Sequence, residues 1–382
     1  MFAVDTSTIS SGIPAPFWFV EFFKVLGFIL HIFAMNLWFA GLPLAILAFV
    51  FSTKNSRRFA RRMFSQLPVI TALGINFGIV PLLFIQVAYY KMFYSATIFM
   101  AWHWILVIPL LILAYYGIYI CAFSIGPKGN PRYLLPFGLV SMFSLLAIAY
   151  ILVNAMTLMG QPDTWDAIWE KNRIGAATFG LGINSSDPAL WLRYGTMFGI
   201  ALVTSAVWMI FDAQCLIRKT DDENQKSEDQ SYRLWAKWFA TFFALVGALL
   251  VAWAFCSYLD VLKGRPVTAE WVAGNWGVSL FWAVMVLPFI VTFILLISGK
   301  SRCAAVLLLL LQLAVITSFA VFRQFVQNLE VLQVFDVSKL PTNVQRDVLI
   351  TFLVVFVIGA LVIAWMVRQV TLAPGTCPEE TT

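Results

Sequence analysis

Histidine is almost missing from this chain. Its 382 residues include two imidazoles, His31 and His103, so at most one bis-histidine cofactor site can be built from them. Charge is scarce as well. Asp, Glu, Lys and Arg make up 12% of the residues, against about 25% in ordinary soluble domains, which excludes that class. The five cysteines, Cys121, Cys215, Cys256, Cys303 and Cys377, form no CxxC and no CxxCH. That removes covalent c-type haem attachment and any zinc or iron–sulfur signature. No nucleotide motif, internal repeat or soluble domain is legible, and no nucleic-acid partner is expected. The opening MFAVDTSTISSGIPAP has no basic n-region, so it does not read as a cleavable signal peptide.

What is abundant is apolar. Hydrophobic residues make up 61% of the chain, in repeated runs long enough to cross a bilayer as helices. The short alternating strands of a β-barrel are not seen. The expected class is an all-α integral membrane protein in the lipid bilayer. About nine transmembrane helices are expected, near 17–51, 66–90, 97–124, 133–159, 190–216, 234–259, 276–298, 303–331 and 345–368. The first run is too long for one crossing, so Glu21 and Lys24 are expected at the interface.

Basic residues set the orientation. TKNSRRFARR (53–62) carries five basic residues and no acid, and GPKGNPR, RKTDDENQKSEDQSYRLWAK and SGKSR add more after the third, fifth and seventh spans. The positive-inside rule then puts the N-terminus outside and the C-terminus in the cytoplasm of a bacterial-type inner membrane. The chain reads as a single polytopic membrane domain over 1–382, with 217–237 a charged cytoplasmic linker. The outer loops 160–191, 260–276 and 328–345 mix tryptophan, charge and glycine. Interfacial anchoring explains such tryptophans, and a lid or partner-docking surface is the functional alternative.

Polar groups inside spans are the candidates for function. His31 and His103 both fall in the outer half of their spans, and neutral imidazole is a good axial ligand for haem iron. A haem b near the outer face, on one or both, is the specific reading; hydrogen bonding between helices is the plain one. Arg323, Gln327 and Glu330 recur at helical spacing at the outer end of the eighth span. Arg323 can pair with Glu330, or with Gln327 present donors to a quinone or haem propionate; snorkelling of Arg323 is the plain reading. Asn36, Asn76, Gln86, Asn154 and Gln312 read as hydrogen-bonding glue between helices. Gly74, Gly78 and Pro81 allow close approach and a kink. Arg193 and Tyr194 stand at the outer start of the fifth span, and Asp212 is expected at the cytoplasmic interface.

Two stretches carry a family resemblance. GFILHIFAMNLWFAGLPLAILAF resembles the first span of cytochrome bd quinol oxidase subunit I, and RRMFSQLPVITALGINFGIVPLL resembles its second. The resemblance covers about the first third of the chain. It implies a nine-span bd-like subunit in which His31 matches the family's first-span haem ligand. Later motifs depart from the family. RYGTMFGIAL lacks the fifth-span histidine, FMAWHWILVIPLLIL lacks the third-span glutamates, and FRQF is a faint echo of Gly-Arg-Gln-Pro-Trp. No long quinol-binding loop separates spans six and seven. An oxygen-reducing di-haem centre is therefore not expected.

Three functions follow in order. The first is a respiratory electron-transfer subunit with one haem b, linking quinone to a periplasmic redox partner such as a cytochrome. It is at most one subunit of a quinol-linked oxidoreductase. The second is a cofactor-free anchor of a membrane complex. The third is a transporter, disfavoured because the glycine- and proline-broken stretch at 74–81 has no counterpart in a second half.

Overall fold

The computed structural model describes residues 12–126, 129–217, 221–298 and 301–372. The segment 1–11 and Cys377 lie outside them. The protein is an all-α, multi-pass membrane protein. Among the described residues, nine helices are long and apolar enough to cross a bilayer. Within lipid the backbone must satisfy its own hydrogen bonds, which leaves the helix as the natural form of each apolar run.

The first span is two helices in line, α1 (Phe17–Phe39) and α2 (Gly41–Phe51), separated by Ala40. Ser52 then adopts a left-handed conformation, φ 57°, and the chain turns straight into α3 (Lys54–Ala88). The basic run 53–62, expected as a connecting loop, is instead the first turns of α3. Thr53 and Ser56 form a reciprocal capping box that satisfies the free amides at its start. Short α4 (Tyr90–Phe99) leads to α5 (Ala101–Ser124), and α6 (Leu134–Met159) returns antiparallel to it.

After α6 the chain forms α7 (Trp165–Asn172) and a two-residue hairpin, Arg173–Ile174 with Ala177–Thr178. It re-enters as α8 (Pro188–Phe211), capped by the Asp187 carboxylate on the Ala189 amide. The charged linker expected over 217–237 is helical from residue 223: α9 runs unbroken over Glu223–Lys263. α10 (Pro266–Ala273), α11 (Asn275–Ser298), α12 (Arg302–Leu332) and α13 (Arg346–Leu372) complete the chain.

Small residues let the central helices touch. A Cβ on Gly199 would sit 2.8 Å from the Gly247 carbonyl, and one on Gly247 2.6 Å from the Gly199 carbonyl. α8 and α9 therefore meet backbone to backbone, the arrangement small residues allow inside membranes. Mid-bundle glue ties α1, α8 and α12: Asn36 and Gln312 both donate to the Thr204 hydroxyl, at 2.9 and 2.8 Å. Asn76 instead bonds its own helix, at the Ala72 carbonyl.

Two ionic clusters mark the two ends. At one, Arg62 grips Asp212 through two bonds of 2.5 and 2.8 Å, while Gln66 adds a third at 2.6 Å. Arg58 pairs with Asp229. Asp212, expected at the cytoplasmic interface, is 4% exposed. Arg62→Met leaves that carboxylate without its ion pair and should lower stability by about 3 kcal/mol. Lys54→Met removes the exposed pair with Glu228 and should cost less than about 1 kcal/mol. Thermal unfolding in detergent separates the two; equal losses would mean that Asp212 does not need Arg62.

Candidate functional site

A cavity of about 390 Å³ lies among α1, α3, α6, α8 and α12. This falls within the range of about 300–1,000 Å³ typical of ligand and cofactor pockets. Its walls are mostly apolar. The polar groups that reach it are Lys24, His31, Arg193, Tyr258, Arg323, Gln327 and Glu330. Three of the four residues singled out from the sequence, His31, Arg323 and Gln327, thus converge on one space. His103 does not: it is absent from the cavity wall, and its buried Nδ1 has no hydrogen-bond partner among the described residues.

The seat of His31 follows from two glycines of α3. The His31 Nδ1 lies 2.8 Å from the Gly74 carbonyl oxygen. A carbonyl can only accept, so Nδ1 carries the proton and donates, and Nε2 keeps its lone pair. In a regular helix that carbonyl also accepts the Gly78 amide, leaving one lone pair for the imidazole. The ring reaches it because Gly78 has no side chain; a Cβ there would sit 2.8 Å from Cε1 and Nδ1. Gly74 is equally bound by packing, since its Cβ would lie 2.5 Å from the Trp38 ring. A histidine whose Nδ1 is tied to a backbone carbonyl is arranged as metal-ligating histidines are.

Glu330 does not pair with Arg323. Its carboxylate, 2% exposed, lies 2.5 Å from Arg193 and 3.0 Å from Arg265. Arg193 also donates to the Tyr258 hydroxyl at 2.8 Å, and Arg265 reaches Asp187 at 3.5 Å. Gly160 makes room for the carboxylate. The pairing therefore links α8, α12 and the start of α10, and the acid is already matched by two cations.

Lys24 is the cavity residue that sequence reasoning did not single out. Expected at the interface, it is 1% exposed. Its ammonium donates to Gln327 Oε1 and lies 3.8 Å from the centre of the Tyr89 ring. Arg323 stacks its guanidinium 4.3 Å above the Phe28 ring. Among the described residues neither cation has a carboxylate partner within ion-pair distance. A charge inside a bilayer costs on the order of 3 kcal/mol, and a desolvated cation–π contact returns about 2 kcal/mol. The contacts seen offset much of the burial and leave both charges unneutralised. Seven residues separate Lys24 from His31, two helical turns that place both on one face of α1; that spacing was a readable signal.

A further network lies beside Lys24. Gln324 donates to the Tyr89 hydroxyl at 2.8 Å, Tyr89 donates to Asn328 Oδ1 at 2.5 Å, and Asn328 Nδ2 donates to Glu21. It couples the C-terminal part of α12 to α1 and the end of α3. Among the described residues no group of three or more His, Cys, Asp and Glu side chains converges as a metal site.

Gly78→Ala and Gly74→Ala should each destabilise the bundle by about 1–3 kcal/mol, the range for overpacking. Gly359, whose Cβ would meet nothing within 4 Å, supplies the control: Gly359→Ala should be neutral or slightly stabilising. Thermal unfolding in detergent reads all three, and a neutral Gly78→Ala would show that the imidazole is not held as described. No protein-family model matches this chain, and no curated protein matches it either.

Proposed function

We propose that the chain is a membrane subunit of a respiratory electron-transfer complex that holds one b-type haem at His31. The observation that carries this reading is the His31 seat. Nδ1 is fixed on the Gly74 carbonyl, so the ring presents a lone-pair nitrogen while lining an apolar cavity of cofactor size. The donor set fits the group: one imidazole, a largely apolar wall, and cations suited to propionates. The thioethers of Met35, Met156 and Met197 are further soft donors in the wall. His31 also matches the haem ligand implied by the resemblance to cytochrome bd subunit I.

Haem bound there supplies one-electron chemistry, and the protein's work is to hold and tune it. His31 fixes the metal side. Arg323 and Gln327 stand where a propionate or the carbonyl of a quinone needs donors. The orientation that suits this role puts the N-terminus outside and the C-terminus in the cytoplasm of a bacterial inner membrane, because the end holding Lys54, Arg57, Arg58, Arg61 and Arg62 is the basic one. The cavity then lies in the outer half, and the loops over 160–191, 260–276 and 328–345 face a periplasmic redox partner. The cofactor-free anchor is supported by the same His31–Gly74 bond, which by itself ties α1 to α3.

The reduced-minus-oxidised visible spectrum of protein purified from native membranes tests the assignment. A b-type signal is expected, abolished by His31→Ala and retained in His103→Ala, with both variants still inserted. A signal that survives His31→Ala, or no signal from the chain itself, would favour the anchor. Orientation has its own check. A membrane-impermeant maleimide should label Lys339→Cys in intact cells, after replacement of the native cysteines. Labelling only in inverted vesicles would reverse the assignment.

A further inference from the structure

Among the described residues, the cavity is lined by more basic groups than acidic ones. Lys24, Arg193 and Arg323 reach it, with Glu330 as the one acid among the described wall residues. Glu330 is taken by Arg193 and Arg265. Lys24 and Arg323 remain, the first held by a neutral amide and an aromatic face, the second by an aromatic face alone. A third cation, Arg193, is nearby but already paired.

Their placement has a direction. Lys24 and His31 share one face of α1, about 10 Å apart along its axis. Phe28 sits between them, and Arg323 lies over its ring. Lys24 thus borders the cavity two turns from His31, with Arg323 over Phe28 between them, and among the described residues neither basic group has a carboxylate within ion-pair distance. Charge-assisted bonds to a carboxylate would satisfy both.

We propose that Lys24 and Arg323 together form a carboxylate seat, so that the cavity takes a flat, apolar, metal-bearing dianion with its acidic edge toward Lys24 and its metal toward His31. This rests on the haem reading and adds to it the orientation of the ligand and the role of Lys24. The charged and titratable neighbours of the seat are Glu21 from α1, Tyr89 from the end of α3, Arg193 from α8, Tyr258 from α9 and Glu330 from α12, while α5 and α6 contribute apolar wall. None of them places a carboxylate within ion-pair distance of Lys24 or Arg323. Glu21 is instead engaged by Asn328.

The experiment expresses the full chain in a haem-deficient host and titrates the detergent-purified protein with protohaem and with its dimethyl ester, whose propionates are blocked. Absorbance gives both affinities. The wild type should prefer the free acid by about tenfold or more. Lys24→Met and Arg323→Met should each shrink that preference, and the double variant should abolish it while still binding the ester, which shows that it has folded. Lys24→Arg should keep the preference. In reduced-minus-oxidised titrations Lys24→Met should lower the midpoint potential and Lys24→Arg should not, because a lost cation favours the oxidised, more positive form. Equal affinity for acid and ester in the wild type would overturn the seat and leave haem at His31 standing. Failure of both ligands to give a b-type spectrum would overturn the haem reading, and the seat with it.

Discussion

A polar group inside a bilayer has no water to turn to, so it must find its partner within the protein. The bundle is arranged around that demand. Glu330 shows it most sharply: a carboxylate placed near the C-terminal end of α12 is tolerated because Arg193 of α8 and Arg265 at the start of α10 both reach it. Asp212 is matched at the opposite end by Arg62 and Gln66. Between these ends the polar links are neutral, as where Asn36 and Gln312 share the Thr204 hydroxyl. Such bonds are worth about 0.6 kcal/mol each on average inside membranes, which suits them to fixing register rather than supplying bulk stability.

Close packing then decides where function can sit. Gly199 and Gly247 draw α8 and α9 together, and Gly74 and Gly78 let α1 lay Trp38 and His31 against α3. At Gly78 the gain is chemical as well as steric. Removing one methyl group's worth of volume opens the second lone pair of the Gly74 carbonyl to an imidazole. That bond fixes the tautomer of a ring bordering the cavity. Backbone geometry thereby sets the chemistry of a side chain on another helix.

Much of this was legible in the residues. Apolar run length marked all nine spans to within a few residues at most boundaries, because span length is imposed by lipid. Boundaries failed where charge was equated with loop: the runs at 53–62 and 223–237 extend α3 and α9, since charged residues are good helix formers and a helix can project beyond the apolar layer. At the site, His31, Arg323 and Gln327 stood out as polar residues in apolar runs. Which acid met which base did not, because Arg193, Arg265 and Glu330 come from three distant segments. Lys24 was discounted for lying near the start of its span. Its depth depends on how α3 and α12 pack around it, and a single helix cannot report that.

A histidine serving only to join α1 and α3 needs its Nδ1 bond and close packing on every other side. His31 has the bond and borders a cavity instead. Lipid chains can cover apolar wall where a cavity opens, yet they neutralise nothing. Lys24 and Arg323 are basic groups in a setting where a charge is costly, and their contacts with Gln327, Tyr89 and Phe28 orient them without a carboxylate partner among the described residues. A pure anchor gives Lys24, two turns from His31, and Arg323, over the Phe28 ring between them, no acid to meet among the described residues. A ligand that is apolar in its body, acidic at one edge and able to accept an imidazole at its centre accounts for all three features at once.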